Sequence, residues 1–382
     1  MKRKVLFIAT VAKTHICAFH LKTLETFQSL GWETHVAASN DLDGTASIPY
    51  CDVFHEIPFS RGPFCFTNIK AYCKLKRLID ENRFDLIHCH TPVGGVLGRF
   101  AARDARKNGT KVIYTAHGFH FYHGAPPVYW LIFYPIEKLC ARWTDALLTI
   151  NSEDDRLAKE KMQVQRHYHI DGVGVDIFRL RCTEKDRTEI REALHLCSDS
   201  LVLLSVGELN PNKNHSVMIR ALAKLSDLNI EYIIAGVGKE SERLRVLSSR
   251  LGVSDKVHFL GYRDDVSALY DAADIFVFPS LREGLPVSAM EAMTCGLPVV
   301  CSRVRGNRDL IDENGGFLCG ALDIDAYAAA IRYLCENKDV RAKMGYYNER
   351  KAVAYDRTVL QKRLFQIYDE VLRDEDRTYT QQ

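Results

Sequence analysis

The strongest constraint on this chain is a short, wholly apolar run that keeps returning, each time separated from the next by a stretch with helical spacing. The first is Val5–Ala9 (VLFIA). A continuous run of β-branched and aromatic residues marks a strand buried on both faces, where an alternating pattern would mark one exposed to water. Apolar residues then recur at helical spacing from Phe19 to Leu30 and stop at Gly31, a natural helix terminator. Further strands are predicted at Thr34–Ala38, Leu86–Cys89, Val112–Thr115 and Ala146–Ile150, with helices between them. Strands that alternate with helices build a parallel sheet covered on both sides.

The pattern restarts in the second half. Strands are predicted at Leu201–Val206, Glu231–Ala235, Val257–Leu260, Asp274–Phe278 and Pro298–Cys301, with helices at Ser216–Lys224, Glu240–Leu251 and Ser288–Cys295. Two series of similar size predict two Rossmann-like doubly wound α/β domains facing across a cleft. A barrel would need eight evenly spaced units, and the stretch from Asp171 to Ser200 reads as an irregular linker. The expected divisions are residues 1–175, residues 176–360, and a terminal segment, 361–382. A polar-faced helix is expected over about Val359–Arg373, able to pack on either domain, the N-terminal one included.

Composition narrows the function. A net charge of +2 over 382 residues gives no global electrostatic case for nucleic acid. Twelve cysteines are present, but no CxxC pair, and Cys89, Cys140 and Cys301 sit inside apolar runs. Reduced thiols in a cytoplasmic protein are the expectation. The N-terminus is basic and then apolar, but Lys13 and His15 interrupt it before a secretory signal could form. No run of about 18 apolar residues exists to span a bilayer.

Open α/β sheets bind ligands beyond the carboxyl ends of their strands. There the chain carries Gly207-Glu-Leu-Asn-Pro-Asn-Lys213, whose glycine admits close backbone approach and whose lysine can reach a phosphate. More informative is PSLREGLPVSAMEAM, residues 279–293: a strand end, a glycine-containing loop, then a helix beginning near Pro286–Ser288. Free amides at a helix start, with the helix dipole, suit a diphosphate. Glu283 before the helix and Glu291 within it would repel phosphate but accept from hydroxyls, so a nucleotide sugar fits. The plainer reading, a dipole-stabilising Glu and an interior Glu, suits Glu283 better than Glu291, which sits among Ala289, Met290, Ala292 and Met293.

In that context the E-x7-E pattern of Glu283 and Glu291 resembles the signature of glycosyltransferase family 4, retaining enzymes of the GT-B architecture. The opening strand, Tyr114-Thr-Ala-His117-Gly-Phe-His120, Ser205-Val-Gly207 with Lys213, and Gly261-Tyr-Arg263-Asp-Asp-Val266 follow in the family's order. The resemblance covers nearly the whole chain and looks closest to bacterial exopolysaccharide and capsule transferases. It implies that Glu283 holds the donor sugar hydroxyls and that amides at Gly284 and Leu285 hold the neighbouring phosphate or sugar. It further implies that Glu291 accepts from the ribose and that Lys213 meets the charge of the leaving diphosphate. Gly207 and Arg263 join the donor site, and His117 lies near the transferred sugar. His15 and His20 are candidates for the acceptor side. Two departures stand out: Glu208 occupies a position where many relatives carry Arg, leaving Arg282, Arg303 or Arg305 to supply that cation, and Thr10–Phe19 lacks the family's glycine pair.

The resemblance implies retention of anomeric configuration, and preorganised amides with a lysine can stabilise the departing diphosphate without a metal cofactor. Asp41-Leu-Asp43 formally matches a metal motif but lies in turn chemistry, and His88-Cys-His90 reads as local packing. The aromatic stretch Pro126–Trp143 has two readings: a buried helix pair under the N-terminal sheet, or a surface meeting a membrane and a lipid-linked or glycan acceptor, with Lys138 and Arg142 at the headgroups. Uridine is preferred over guanosine as the donor base from the subgroup alone. A nucleotide-sugar epimerase or hydrolase of the same architecture, or a non-catalytic nucleotide-sugar-binding subunit, remain the rival readings.

Overall fold

The computed structural model describes residues 2–42, 47–181 and 186–373. The chain forms two compact units: residues 1–173 together with 360–382, and residues 174–359. The first holds a seven-stranded sheet ordered β3-β2-β1-β4-β5-β6-β7. Its strands are β1 (Lys4–Val11), β2 (Glu33–Ser39), β3 (Val53–Glu56), β4 (Leu86–Cys89), β5 (Lys111–Ala116), β6 (Ala146–Thr149) and β7 (Arg166–His169). The second holds a six-stranded sheet ordered β10-β9-β8-β11-β12-β13. Those strands are β8 (Leu201–Val206), β9 (Ile230–Ala235), β10 (Val257–Gly261), β11 (Ile275–Phe278), β12 (Val299–Ser302) and β13 (Gly316–Cys319). Every recorded strand pair in both sheets is parallel.

Both sheets therefore reverse their direction of growth once, between β1 and β4 and between β8 and β11. The apolar runs read from the sequence are the central strands: β4 and β6 are buried throughout, as are β9, β11 and β12. Strands β3, β7 and β13 were not expected; β3 and β7 are less apolar, and β13 is a four-residue edge strand opening on Gly316. Arg166-His-Tyr-His169 lies at a sheet edge, buried on neither face, so it carries no apolar signal. Three further differences have physical causes. The stretch read as a linker contains helices Ile177–Arg181 and Arg187–Ala193; Arg187 and Arg191 both pair with Asp274 and so tie the second helix to the sheet. The expected buried helix pair is one helix, Pro127–Ala141, that runs through Pro135 and buries Glu137, Cys140 and Ala141 while Leu131 stays 76% exposed. Residues 12–17 form a π-helical turn rather than a loop, and Asp41 accepts from the Lys13 and Thr14 amides at its start; Asp43 lies outside the described residues.

The final helix, Arg357–Leu372, buries Leu360, Ile367, Tyr368 and Val371. Its Tyr368 hydroxyl meets His88 Nδ1 at 2.7 Å, and Tyr168 meets Glu370, so this part of the helix belongs to the first unit.

Within the first unit, Arg99 is buried against the Tyr114 ring, its guanidinium carbon 3.8 Å from the ring centroid, and pairs with buried Glu137 at 2.7 Å. Removing one member of such a pair strands the other charge away from water. Trp32, Trp130 and Trp143 are the three tryptophans of the chain and all lie in this unit, so indole fluorescence reads its unfolding. Glu137→Ala should lower its stability in urea by about 3–5 kcal/mol; an unfolding midpoint equal to wild type would show that the pair is not a structural requirement.

Candidate active site

The β8–β11 switch point gathers the second unit's candidate residues. The turn after β8 carries Lys213, held by an N–H bond to Asn210 Oδ1. The turn after β11 carries Glu283. The two loops are stitched together: Leu281 donates to the Asn212 carbonyl at 2.7 Å, and Asn212 Nδ2 donates to the Arg282 carbonyl at 2.9 Å. Lys213 Nζ reaches Glu283 Oε1 at 2.8 Å and lies 4.4 Å from the Phe278 ring centroid. Seventy positions apart in sequence, an acid and a base thus share one spot at the head of the sheet.

The helix Val287–Thr294 starts just beyond, with Pro286 at its N-cap and no side chain capping its first amides. Gly284 and Leu285 lead into it. Gly306 packs against this loop with φ +76°, and a Cβ there would meet the Gly284 carbonyl oxygen at 2.2 Å, so only glycine allows the approach. Gly236 serves the other side: a Cβ on it would lie 1.9 Å from the Gly207 carbonyl oxygen. Glu291, one turn into the helix, accepts from the Tyr270 hydroxyl at 2.8 Å. Burial raises its pKa against the opposing pull of Tyr270, Arg357 and Arg179.

Sequence reasoning missed Tyr270, for which no motif gives a signal. It offered three arginines as the cation compensating Glu208; Arg305 is the buried one, with Nε donating to the Glu283 carbonyl at 3.2 Å, whereas Arg303 is exposed and reaches the Leu318 carbonyl. Glu208 itself is exposed. Arg263 forms a two-pronged pair with neighbouring Asp265 at 2.7 and 2.6 Å.

In the first unit, the β1–β4 switch point and the end of β5 gather imidazoles. His15 Nε2 and His20 Nε2 lie 3.3 Å apart, and so do His90 Nδ1 and His117 Nε2. The His20 and His90 rings are 4.0 Å apart, and Phe7 stacks on His90 at 5.7 Å. His88 stands slightly aside and is fully bonded, to Tyr368 and to Thr115 at 2.8 Å, so its reading as a packed polar residue holds. Burial holds His117 down to about 4 and His88 to about 3, and burial with neighbouring imidazoles holds His15, His20 and His90 well below the usual histidine range. All five are neutral at physiological pH.

The raised pKa of Glu291 gives a stability test. A carboxyl that prefers its proton in the folded state contributes stability below the ordinary glutamate value, roughly pH 4, and loses it as pH rises through the raised folded value. Glu291→Gln keeps an acceptor for Tyr270 and cannot ionise. Its melting temperature relative to wild type should therefore be more favourable at pH 8 than at pH 4; a pH-independent difference would show that Glu291 ionises without cost.

Comparison with known proteins places this geometry. The family model described as Glycosyl transferases group 1 matches residues 186–351, and that described as Glycosyl transferase 4-like matches residues 4–151. A Bacillus subtilis (strain 168) protein named as glycosyltransferase EpsD is 39% identical over 373 residues, covering 96% of this chain and 97% of its own. An Escherichia coli UDP-Gal:alpha-D-GlcNAc-diphosphoundecaprenol alpha-1,3-galactosyltransferase is 29% identical over 280 residues, 71% of each chain. Among solved structures, Anabaena Alr3699/HepE in complex with UDP and glucose aligns with a TM-score of 0.79 at 21% identity, covering 96% of this chain and all of that one. WaaG, a glycosyltransferase involved in lipopolysaccharide biosynthesis, aligns at 0.72 with 19% identity, covering 95% of this chain and 99% of its own. With two parallel-sheet Rossmann-like domains and full-length similarity to EpsD, the chain belongs to the group 1, family 4-like glycosyltransferases of GT-B architecture.

Proposed function

We propose that the chain transfers a sugar, with retention of configuration, from a UDP-sugar to a lipid-linked acceptor at the cytoplasmic membrane face during surface polysaccharide synthesis. The observation that carries this reading is the Lys213–Glu283 pair at the switch point of the second sheet, beside a helix start without a side-chain cap. In sugar transfer the bond from the anomeric carbon to the diphosphate breaks, leaving negative charge on the phosphate and positive character on the sugar. Lys213 and the amides around Gly284, Leu285 and Val287 meet the growing phosphate charge, with no metal needed for that task. Gly207 lets the backbone approach the donor. Glu283, bonded through one oxygen to Lys213, keeps lone pairs for sugar hydroxyls, while Glu291, held by Tyr270, accepts from the ribose. Arg263 borders this donor site. From the first unit, His117 is assigned to the transferred sugar and His15 and His20 to the acceptor side. The E. coli relative's name supports a uridine donor and a diphosphate-lipid acceptor, and the HepE complex supports UDP as the nucleotide.

Membrane association rests on the first unit's surface. Phe64, Phe66 (86% exposed), Ile69, Val128 and Leu131 are exposed apolar residues. Phe64 lines the same cavity as Ile132, Phe133 and Ile136 of the Pro127–Ala141 helix, which brings the two segments together there. Apolar groups concentrated in this way mark interaction surfaces, and Lys138 and Arg142 accompany them for anionic headgroups. Among the described residues no helix is long and apolar enough to cross a membrane, so association would be from one side.

Following nucleotide release (UDP or GDP) from a panel of UDP- and GDP-sugars, with and without a lipid-diphosphate acceptor, tests the assignment. Acceptor-dependent release is expected, and release without any acceptor would favour the epimerase or hydrolase reading. Lys213→Ala and Glu283→Gln should each lower transfer by roughly 10²–10³-fold with unchanged circular dichroism; wild-type turnover in both would remove the proposed site. In vesicle sedimentation, wild type should partition onto anionic liposomes and Leu131→Asp with Phe66→Ser should stay in the supernatant. Equal partitioning of the two would discard this surface as the contact.

A further inference from the structure

The four imidazoles at the head of the first sheet, three of which the proposed transfer assigns to the sugar and the acceptor, also form one compact set of nitrogen donors. His15, His20, His90 and His117 each offer a ring nitrogen, and those four nitrogens lie within 4.8 Å of one another. Two of the separations, His15–His20 and His90–His117, are both 3.3 Å. Zinc bound by imidazole at about 2.0–2.1 Å in a tetrahedron places neighbouring nitrogens about 3.3 Å apart. Two pairs of nitrogens stand at that spacing, and the four histidines each offer a donor within 4.8 Å of the others. We propose that His15, His20, His90 and His117 form a binding site for a zinc-class divalent transition ion.

Several independent features support the site. The four ligands come from three separate switch-point segments: the π-helical turn and its following residues after β1, the end of β4 and the end of β5. π-helical turns recur at functional sites because they re-aim a side chain at a cost in regular hydrogen bonding. His90 is 1% exposed, so the donor set reaches into the interior rather than lying on the surface. His15 and His117 are only partly buried, giving an ion a route in. An all-imidazole set selects zinc, copper or nickel over magnesium and calcium, which demand oxygen ligands. All four ligands belong to the first unit, and Lys213 and Glu283 are not among them.

The test is equilibrium dialysis of the full chain against zinc chloride, with magnesium chloride as the contrasting ion, comparing wild type with His15→Ala and His90→Gln. All cysteines are retained in the variants, so adventitious thiolate binding cancels in the comparison. Wild type should hold one more zinc than either variant, with affinity at least roughly tenfold tighter, and zinc should raise its melting temperature while magnesium does not. His15→Ala, at a partly exposed position, keeps the comparison valid should the buried His90→Gln variant fail to fold. Equal zinc content in wild type and His15→Ala, or no zinc-dependent rise in the wild-type melting temperature, would overturn the site. Neither result depends on sugar transfer, so failure here leaves the donor-site reading to its own assay.

Discussion

A parallel strand cannot return to its neighbour by a tight turn, and that restriction organises both halves of this protein. Every strand must be followed by a crossover, usually helical, that covers one face of the sheet. All carboxyl ends of the strands then open at the same edge. Where the sheet's growth reverses, at β1–β4 and at β8–β11, the crossovers leave in opposite directions and cannot cover that edge. Polar residues placed there are held in position by rigid strands. The Lys213–Glu283 pair and the imidazole group occupy these two positions, one in each unit.

The chemistry at each edge depends on how its polar groups are held. Lys213 is pinned from three directions, by Asn210 at its backbone, Phe278 under its ammonium and Glu283 at its tip. A lysine fixed in this way meets phosphate without first losing side-chain freedom, which is the source of catalytic advantage in preorganised sites. Glu291 is positioned at a cost, because its burial disfavours the very charge that makes it a good acceptor. Deeper in the first unit, Arg99 and Glu137 show the same principle used for architecture: both charges are buried, and each is tolerated because the other is 2.7 Å away.

Local sequence was informative where one element carries its own signal. The central strands are legible because burial on both faces demands unbroken apolar runs, and the helix beginning at Val287 is legible because a glycine-proline loop precedes it. The edge strand Arg166–His169 was not, because a strand with one neighbour needs no apolar face. The helix Arg187–Ala193 was hidden because its apolar contact is small, Ile190 and Leu194 against Ala268 and Ala272, and arginine pairs tether it to Asp274, more than eighty residues away. The aromatic stretch after Pro126, for which a buried helix pair was one of two readings, forms a single helix that runs through Pro135, since a proline inside a helix can be accommodated when its neighbours still pack.

The amino-acid sequence alone determined the two-domain α/β class, the strand ends at which the candidate residues lie, and the choice of Lys213, Glu283 and Glu291 as candidates, since residue type and spacing along one segment are local properties. Only the tertiary structure decided that Lys213 and Glu283 touch, that Tyr270 holds Glu291, that Arg305 is the buried cation beside the Glu283 carbonyl, and that four histidines spread over a hundred residues share one small volume. These are partnerships between distant segments. Their distances follow from strand order and register, which close long loops at an entropic cost that no local pattern records.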